Sequence, residues 1–174
     1  RLALKAFRQT AAYDAAIAGW MAGEEALPEV LSLRALRSTV LRYGENAHQR
    51  AALYRWEGAP PAFEQVGGEK ELSYNNLLDL EAAWSLASER TEASVAIIKH
   101  ANPSGYAVAE GPVRAFELAL ACDPVSAFGG IVGCNRVVDE AFVEAMGKLF
   151  VEVLAAPAFT EGALALLAAR KRGC

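Results

Sequence analysis

Lys99 and His100 close the aliphatic run Val95-Ala96-Ile97-Ile98 and are followed at once by Ala101-Asn102-Pro103-Ser104-Gly105. An ammonium beside an imidazole suits chemistry that moves a proton while negative charge develops. The imidazole accepts a proton near neutrality. The ammonium holds a phosphate or a developing oxyanion or, when desolvated, gives up its proton and serves as a base itself. Adjacent side chains on a strand point to opposite faces, so the two groups share a site only if the backbone bends there. The Asn102-Pro103 pair supplies the expected bend, because proline restricts the residue before it. For a bare Lys-His dipeptide the commoner arrangement is a snorkelling lysine and a histidine with one structural hydrogen bond. The flanking Ala-Asn-Pro-Ser-Gly turns the reading toward a site at the strand's carboxyl end, where ligands gather in open α/β sheets.

Two further stretches carry mixed chemistry. Leu41-Arg42-Tyr43-Gly44-Glu45-Asn46-Ala47-His48-Gln49 has no period of 2 or 3.6 and reads as a loop, either a binding loop or a solvated connector. Asp123-Pro124-Val125-Ser126-Ala127-Phe128-Gly129-Gly130 reads as a second loop, whose paired glycines let a ligand approach the backbone closely or simply make a tight turn.

Several chemistries are disfavoured. The chain has 2 His and 3 Cys. His48 and His100 form no H-x-E, and Cys122, Cys134 and Cys174 form no C-x-x-C, so the ligand set of a zinc deaminase or a structural zinc site is missing. The same dispersed cysteines give no disulfide framework and fit a reducing cytoplasm. Neither glycine-rich nucleotide fingerprint occurs. A net charge of -4 with scattered Lys and Arg argues against a nucleic-acid surface. No apolar run reaches the roughly 20 residues that span a bilayer.

The elements that must position these groups follow from the periodicity. With 174 residues, 53% apolar and 22% charged, the chain is expected to fold as one domain plus a piece of another. It begins with Arg1, inside an apparent helix, which reads as a segment of a longer chain. Residues 1–22 form an Ala-rich helix on which Phe7 and Trp20 are read as packing against a neighbour, and residues 23–28 form a linker. A strand is expected near 51–55 and a helix from Asn75, capped by Ser73 or Asn75, with Asp79, Glu81 and Glu89 on its polar side. Beyond the central strand come a helix starting at Pro112, a short buried strand at 131–133, a helix capped by Asp139 running to Leu149, a strand at 151–156 and a helix over 160–169. Alternating helices and strands of this kind predict an α/β fold with a mixed, largely parallel sheet covered on both faces.

Four motifs, in the order Leu41 to Gln49, Glu71-Leu72-Ser73-Tyr74-Asn75-Asn76-Leu77-Leu78-Asp79, Ile98 to Gly105 and Asp123 to Gly130, resemble the bifunctional purine biosynthesis family that joins IMP cyclohydrolase to AICAR transformylase. Lys5-Ala6-Phe7 with Thr10-Ala11-Ala12-Tyr13-Asp14 looks like the closing helix of the cyclohydrolase domain. The resemblance implies a cytidine-deaminase-like half-domain without zinc. It assigns residues 1–27 to the cyclohydrolase end and linker, and 28–174 to the first half of the transformylase domain. It implies formyl transfer from 10-formyltetrahydrofolate to AICAR, a cytoplasmic homodimer in the full-length protein, and no metal at the catalytic site. On this resemblance His100 is the base and Lys99 stabilises the formyl oxygen. Arg42, Tyr43 and Gly44 hold the nucleotide, and Asn102, Phe128, Gly129 and Glu152 line the pocket. Ala47 replaces the family's usual Pro and Ser104 the Cys usual in bacterial members. The first substitution loosens the loop that carries Arg42, and the second touches no assigned step. The piece alone is expected to be inactive, and the competing class is a non-catalytic half-domain that only dimerises or docks.

Overall fold

A computed structural model describes residues 1–23, 27–68 and 70–170. The linker residues Glu24, Glu25 and Ala26 and the basic tail at 171–174 lie outside the described residues. The chain divides into two compact units, Arg1–Thr39 with Leu53–Phe63, and Val40–Ala52 with Glu64–Cys174.

The first unit contains helix α1 (Leu2–Ala22), which ends at Gly23 with φ 66, and, except for Val40 and Ala52, a two-stranded sheet of β1 (Ala35–Val40) and β2 (Ala52–Trp56). On α1 only Ala12 and Ala15 are half-buried. Phe7 and Trp20, expected to pack, are 75% and 83% exposed, because this unit offers too few elements to cover more than the small Ala stripe. Among the described residues no helix is long and apolar enough to cross a membrane.

The second unit runs α2 (Tyr74–Ser88), β3 (Ala93–Lys99), β4 (Asn102–Ala109), α3 (Pro112–Cys122), β5 (Gly130–Cys134), α4 (Glu140–Ala145), β6 (Val151–Ala155) and α5 (Glu161–Ala169). The local signals act as expected. Ser73 caps α2 in a capping box with Asn76, Pro112 opens α3, and Asp139 and Thr160 cap α4 and α5. Helix α4 ends at Ala145 rather than Leu149, since the chain turns through Gly147 at φ 54.

The four strands form one mixed sheet in the order β4-β3-β5-β6, an α/β architecture with helices on both faces. It is not largely parallel. Strand β3 runs antiparallel to both β4 and β5, and only β5 and β6 are parallel. Two residues separate β3 from β4, a connection that permits only an antiparallel hairpin, whereas parallel neighbours need a crossover of about a dozen residues or more. The crossover through α3 therefore starts from β4 and passes over β3, leaving β5 opposed to β3.

All of Ala93 to Ile98 is buried. Alternation sends Val95 and Ile97, with Val132 and Cys134 of β5, toward Phe116 of α3 and Phe142 of α4, whose rings lie 5.2 Å apart. Ile98 and Ile131 face Ala83 of α2 on the other side. A strand buried on both faces has no polar side, which is why its sequence is a continuous aliphatic run. Helices approach the sheet closely only where it lacks side chains. A Cβ at Gly105 would stand 1.9 Å from the Ala119 carbonyl oxygen of α3, and one at Gly133 would stand 2.4 Å from that of Ala83 of α2.

Gly105→Ala should therefore push α3 off the sheet and cost about 3 kcal/mol, the upper end of the usual overpacking range. Gly67→Ala, whose Cβ would meet nothing within 4 Å, should change stability by less than about 0.5 kcal/mol. Urea unfolding midpoints of the two variants check this, and equal midpoints would contradict the close approach.

Candidate functional site

Lys99 is the last residue of β3, half-buried, and its Nζ donates to the Phe128 carbonyl oxygen at 2.5 Å. The chain then reverses through His100 and Ala101, with φ of 54° and 59°, so that Lys99 pairs directly with Asn102. The bend that the sequence places at Asn102-Pro103 thus occurs two residues earlier. Asn102 and Pro103 already belong to β4, an edge strand, where a proline's missing N–H is tolerated. Positive φ at both central residues makes this a hairpin of the primed kind, usually built from Asn-Gly. Here the bends come from non-glycine residues, and side chains hold them. The His100 amide donates to Asp79 Oδ2 at 3.2 Å, the Ala101 amide to Asp79 Oδ1 at 2.6 Å, and Asn102 Nδ2 to the His100 carbonyl oxygen at 2.8 Å. The His100 residue itself is exposed at the turn.

The loop that accepts from Lys99 is shaped by Asp123, whose Oδ1 accepts from the amides of Val125 at 3.1 Å and Ser126 at 2.9 Å. Hydrogen bonds from Ser126 hold the Asp123 carboxyl below its ordinary value. Gly129 follows at φ 71 and donates its amide to the Phe150 carbonyl oxygen at 2.8 Å. The rings of Phe128 and Phe150 pack at a tilt with centres 5.6 Å apart, leaving Phe128 47% exposed.

Strand β6 begins just after Phe150 and carries Glu152, whose Oε1 lies 3.9 Å from the Arg42 guanidinium. Both partners are substantially exposed, so this loose pair contributes at most about 1 kcal/mol and leaves Arg42 donors open to another anion. The Arg42 guanidinium also sits 4.9 Å from the Tyr43 ring centre and donates to the Tyr43 hydroxyl at 3.3 Å. The backbone of this loop is tied to α2. Arg42 donates its amide to the Leu72 carbonyl, Tyr74 donates to the Tyr43 carbonyl, and Asn75 Nδ2 donates to the Glu45 carbonyl. Gly44 is buried and donates to the Gln49 carbonyl at 2.9 Å, where a Cβ would meet Gln49 Cβ at 2.9 Å.

Two groups of expected residues result. Lys99, His100, Asn102, Phe128 and Gly129 are joined through the hairpin and the loop at 123–130, and Arg42, Tyr43 and Glu152 meet beside β6. Helix α2 links them, since it anchors Tyr43 at Tyr74 and the hairpin at Asp79, about 7.5 Å apart along its axis. Asp79 is the residue that sequence reasoning missed. The sequence places it on the polar side of α2, and no local period marks a carboxylate that binds backbone 21 residues away. A cavity of about 640 Å³ lies in the first unit, lined by Arg8, Arg34, Arg37 and Tyr54 among others, and none of the expected site residues reaches it. Among the described residues no group of three or more His, Cys, Asp and Glu could hold a metal ion. Burial pushes the Cys134 thiol up, so it is no nucleophile, and Cys122 is exposed on α3.

A family model described as the AICARFT/IMPCHase bienzyme matches residues 1–174. The "Bifunctional purine biosynthesis protein PurH" of Myxococcus xanthus is 51% identical over 178 residues, covering 98% of this chain and 35% of that protein. Its namesake in Brucella ovis is 50% identical over 181 residues, covering 98% and 33%. The chain spans about a third of the length of the curated relatives it matches.

The Asp123 brace has a pH signature. Its folded value is depressed, so the bonds are intact above the unfolded value and are lost as pH falls through the lower folded one. Amide resonances of Val125 and Ser126 should move with a midpoint below that of a free aspartate, and a midpoint at or above it would show the brace is not formed in solution.

Proposed function

The chain belongs to the AICARFT/IMPCHase bienzyme family, and from that premise we propose that it is part of an enzyme of IMP biosynthesis that transfers a formyl group from 10-formyltetrahydrofolate to AICAR. Residues 1–27 carry the end of the IMP cyclohydrolase domain with its linker, and 28–174 the first half of the AICAR transformylase domain. The full-length parent works as a cytoplasmic homodimer.

The observation that carries the formyl-transfer reading is the braced strand end. Lys99 and His100 stand at one reversal of the chain, tied through a single helix to the loop of Arg42 and Tyr43. In the reaction the AICAR amine forms a bond to the formyl carbon, and the carbonyl electron pair moves onto oxygen. Lys99 already commits one donor to the Phe128 carbonyl, which fixes its position, and its remaining donors stabilise that oxygen. His100 takes the amine proton as the new bond forms. The bond from carbon to the folate nitrogen then breaks, and that nitrogen leaves with a proton.

Arg42 supplies a planar cation for the nucleotide phosphate, with Tyr43 against it as a stacking and hydrogen-bonding surface. Gly44 keeps their loop tight. Asn102, Phe128, Gly129 and Glu152 complete the nucleotide pocket, with Glu152 a loose partner of Arg42 that an incoming anion displaces. The cyclohydrolase domain then closes the formylated product to IMP with loss of water.

In the full-length parent, His100→Ala should lower kcat for formyl transfer by roughly 10²- to 10⁴-fold, the usual contribution of a positioned acid-base group. Arg42→Ala should act chiefly by raising KM for AICAR. Steady-state kinetics with the cyclohydrolase step assayed separately check both. A His100→Ala enzyme with ordinary kcat and an intact fold would end the assignment of the base.

A further inference from the structure

The His100 hairpin is made of the wrong residues for its shape. Primed two-residue turns take Asn-Gly or a similar pair because both central residues need positive φ, and His and Ala pay a steric penalty there that glycine does not. Both nonetheless sit at positive φ, 54° and 59°. One carboxylate on a neighbouring helix braces both of their amides. Asp79 presents one oxygen to each amide of the turn, at 3.2 Å and 2.6 Å, and no ion pair within 4.0 Å involving it is found among the described residues.

We propose that Asp79 is a positioning residue for formyl transfer: its carboxylate receives the His100 and Ala101 amides, holds the strained reversal between β3 and β4, and so sets where the imidazole stands. This rests on the reading of His100 as the base. Asp79 touches neither reactant and acts only through the backbone. The brace reaches both sides of the site, because the same helix anchors the Arg42-Tyr43 loop one and a half turns earlier, at Tyr74. Displacing the turn therefore moves the base relative to the nucleotide while Arg42 and Tyr43, whose loop is anchored separately, stay in place.

The full-length parent is the protein to test. Asp79→Ala should lower kcat for formyl transfer roughly 10- to 100-fold, the cost of a misplacement of about an ångström, while KM for AICAR changes by less than about threefold. The pH limb due to His100 should persist in Asp79→Ala, where the base is present but displaced, and vanish in His100→Ala. Adding Ala101→Gly to Asp79→Ala should recover a measurable part of the lost kcat, because glycine accepts positive φ without a brace. Amide exchange over 99–102 should quicken in Asp79→Ala with the rest of α2 unchanged. Asp79→Asn, which keeps the shape and one acceptor, should fall between wild type and Asp79→Ala, and it serves if the alanine variant does not fold.

Wild-type kcat in both Asp79 variants, with His100→Ala inactive, would overturn the inference and leave the functional reading standing. A loss in Asp79→Ala that comes with faster exchange throughout α2 and no recovery by Ala101→Gly would overturn it too, reducing Asp79 to a fold residue. Full activity in His100→Ala would instead remove the functional reading, and the positioning role with it.

Discussion

A strand buried on both faces has to turn back on itself within two residues. Strand β3 is enclosed by α2 on one face and by α3 and α4 on the other, and it ends where Lys99 pairs with Asn102 across His100 and Ala101. Left-handed conformations cost non-glycine residues roughly 1–2 kcal/mol each. Amide hydrogen bonds to a carboxylate are charge-assisted and offset a cost of that size. The strain is tolerated because its position is over-determined, by Asp79 from α2, by the Asn102 side chain from the edge strand, and by the buried strand behind it.

That reversal sets the rest of the sheet. Because β4 runs back along β3, the crossover through α3 launches from β4 and must pass over the face of β3 to reach β5. Helix α3 can lie that close only against Gly105 of β4, and α2 only against Gly133 of β5. The same arrangement brings the start of β5, with the Phe128-Gly129 loop before it, to the end of β3, so that the Lys99 ammonium meets the Phe128 carbonyl. The start of β6 lies alongside in parallel register and contributes Phe150 and Glu152. In a parallel sheet the site would collect at strand carboxyl ends. In this sheet one such end meets the amino ends of two neighbours.

The interactions differ in what they can bear. The Arg42–Glu152 pair is exposed and loose at 3.9 Å, a contact that an incoming anion can displace. The hydrogen bonds that hold the backbone of the Arg42 loop to the start of α2 do not involve the guanidinium, so the loop keeps its position while that side chain can exchange Glu152 for another anion. Ala47, read as a loosening of this loop, lies where Gln49 also pins the turn through the amides of Gly44 and Asn46.

Much of this was legible in the residues. The aliphatic run had to be a buried strand, Ser73 or Asn75 and then Asp139 had to cap helices, Pro112 had to begin one, and 41–49 and all of 123–130 but Gly130 are loops as expected, because each signal acts within a few residues of itself. The motif residues could be named for the same reason. Strand direction, the place of the bend and the partner of the turn could not. Asn102-Pro103 carries a strong turn signal, yet pairing with β3 drew both residues into a strand, and Asp79 looks like any solvated helix residue until β3 ends beside it. Those outcomes depend on which groups the folded chain brings together across 21 or more positions, and local periodicity holds no record of that distance.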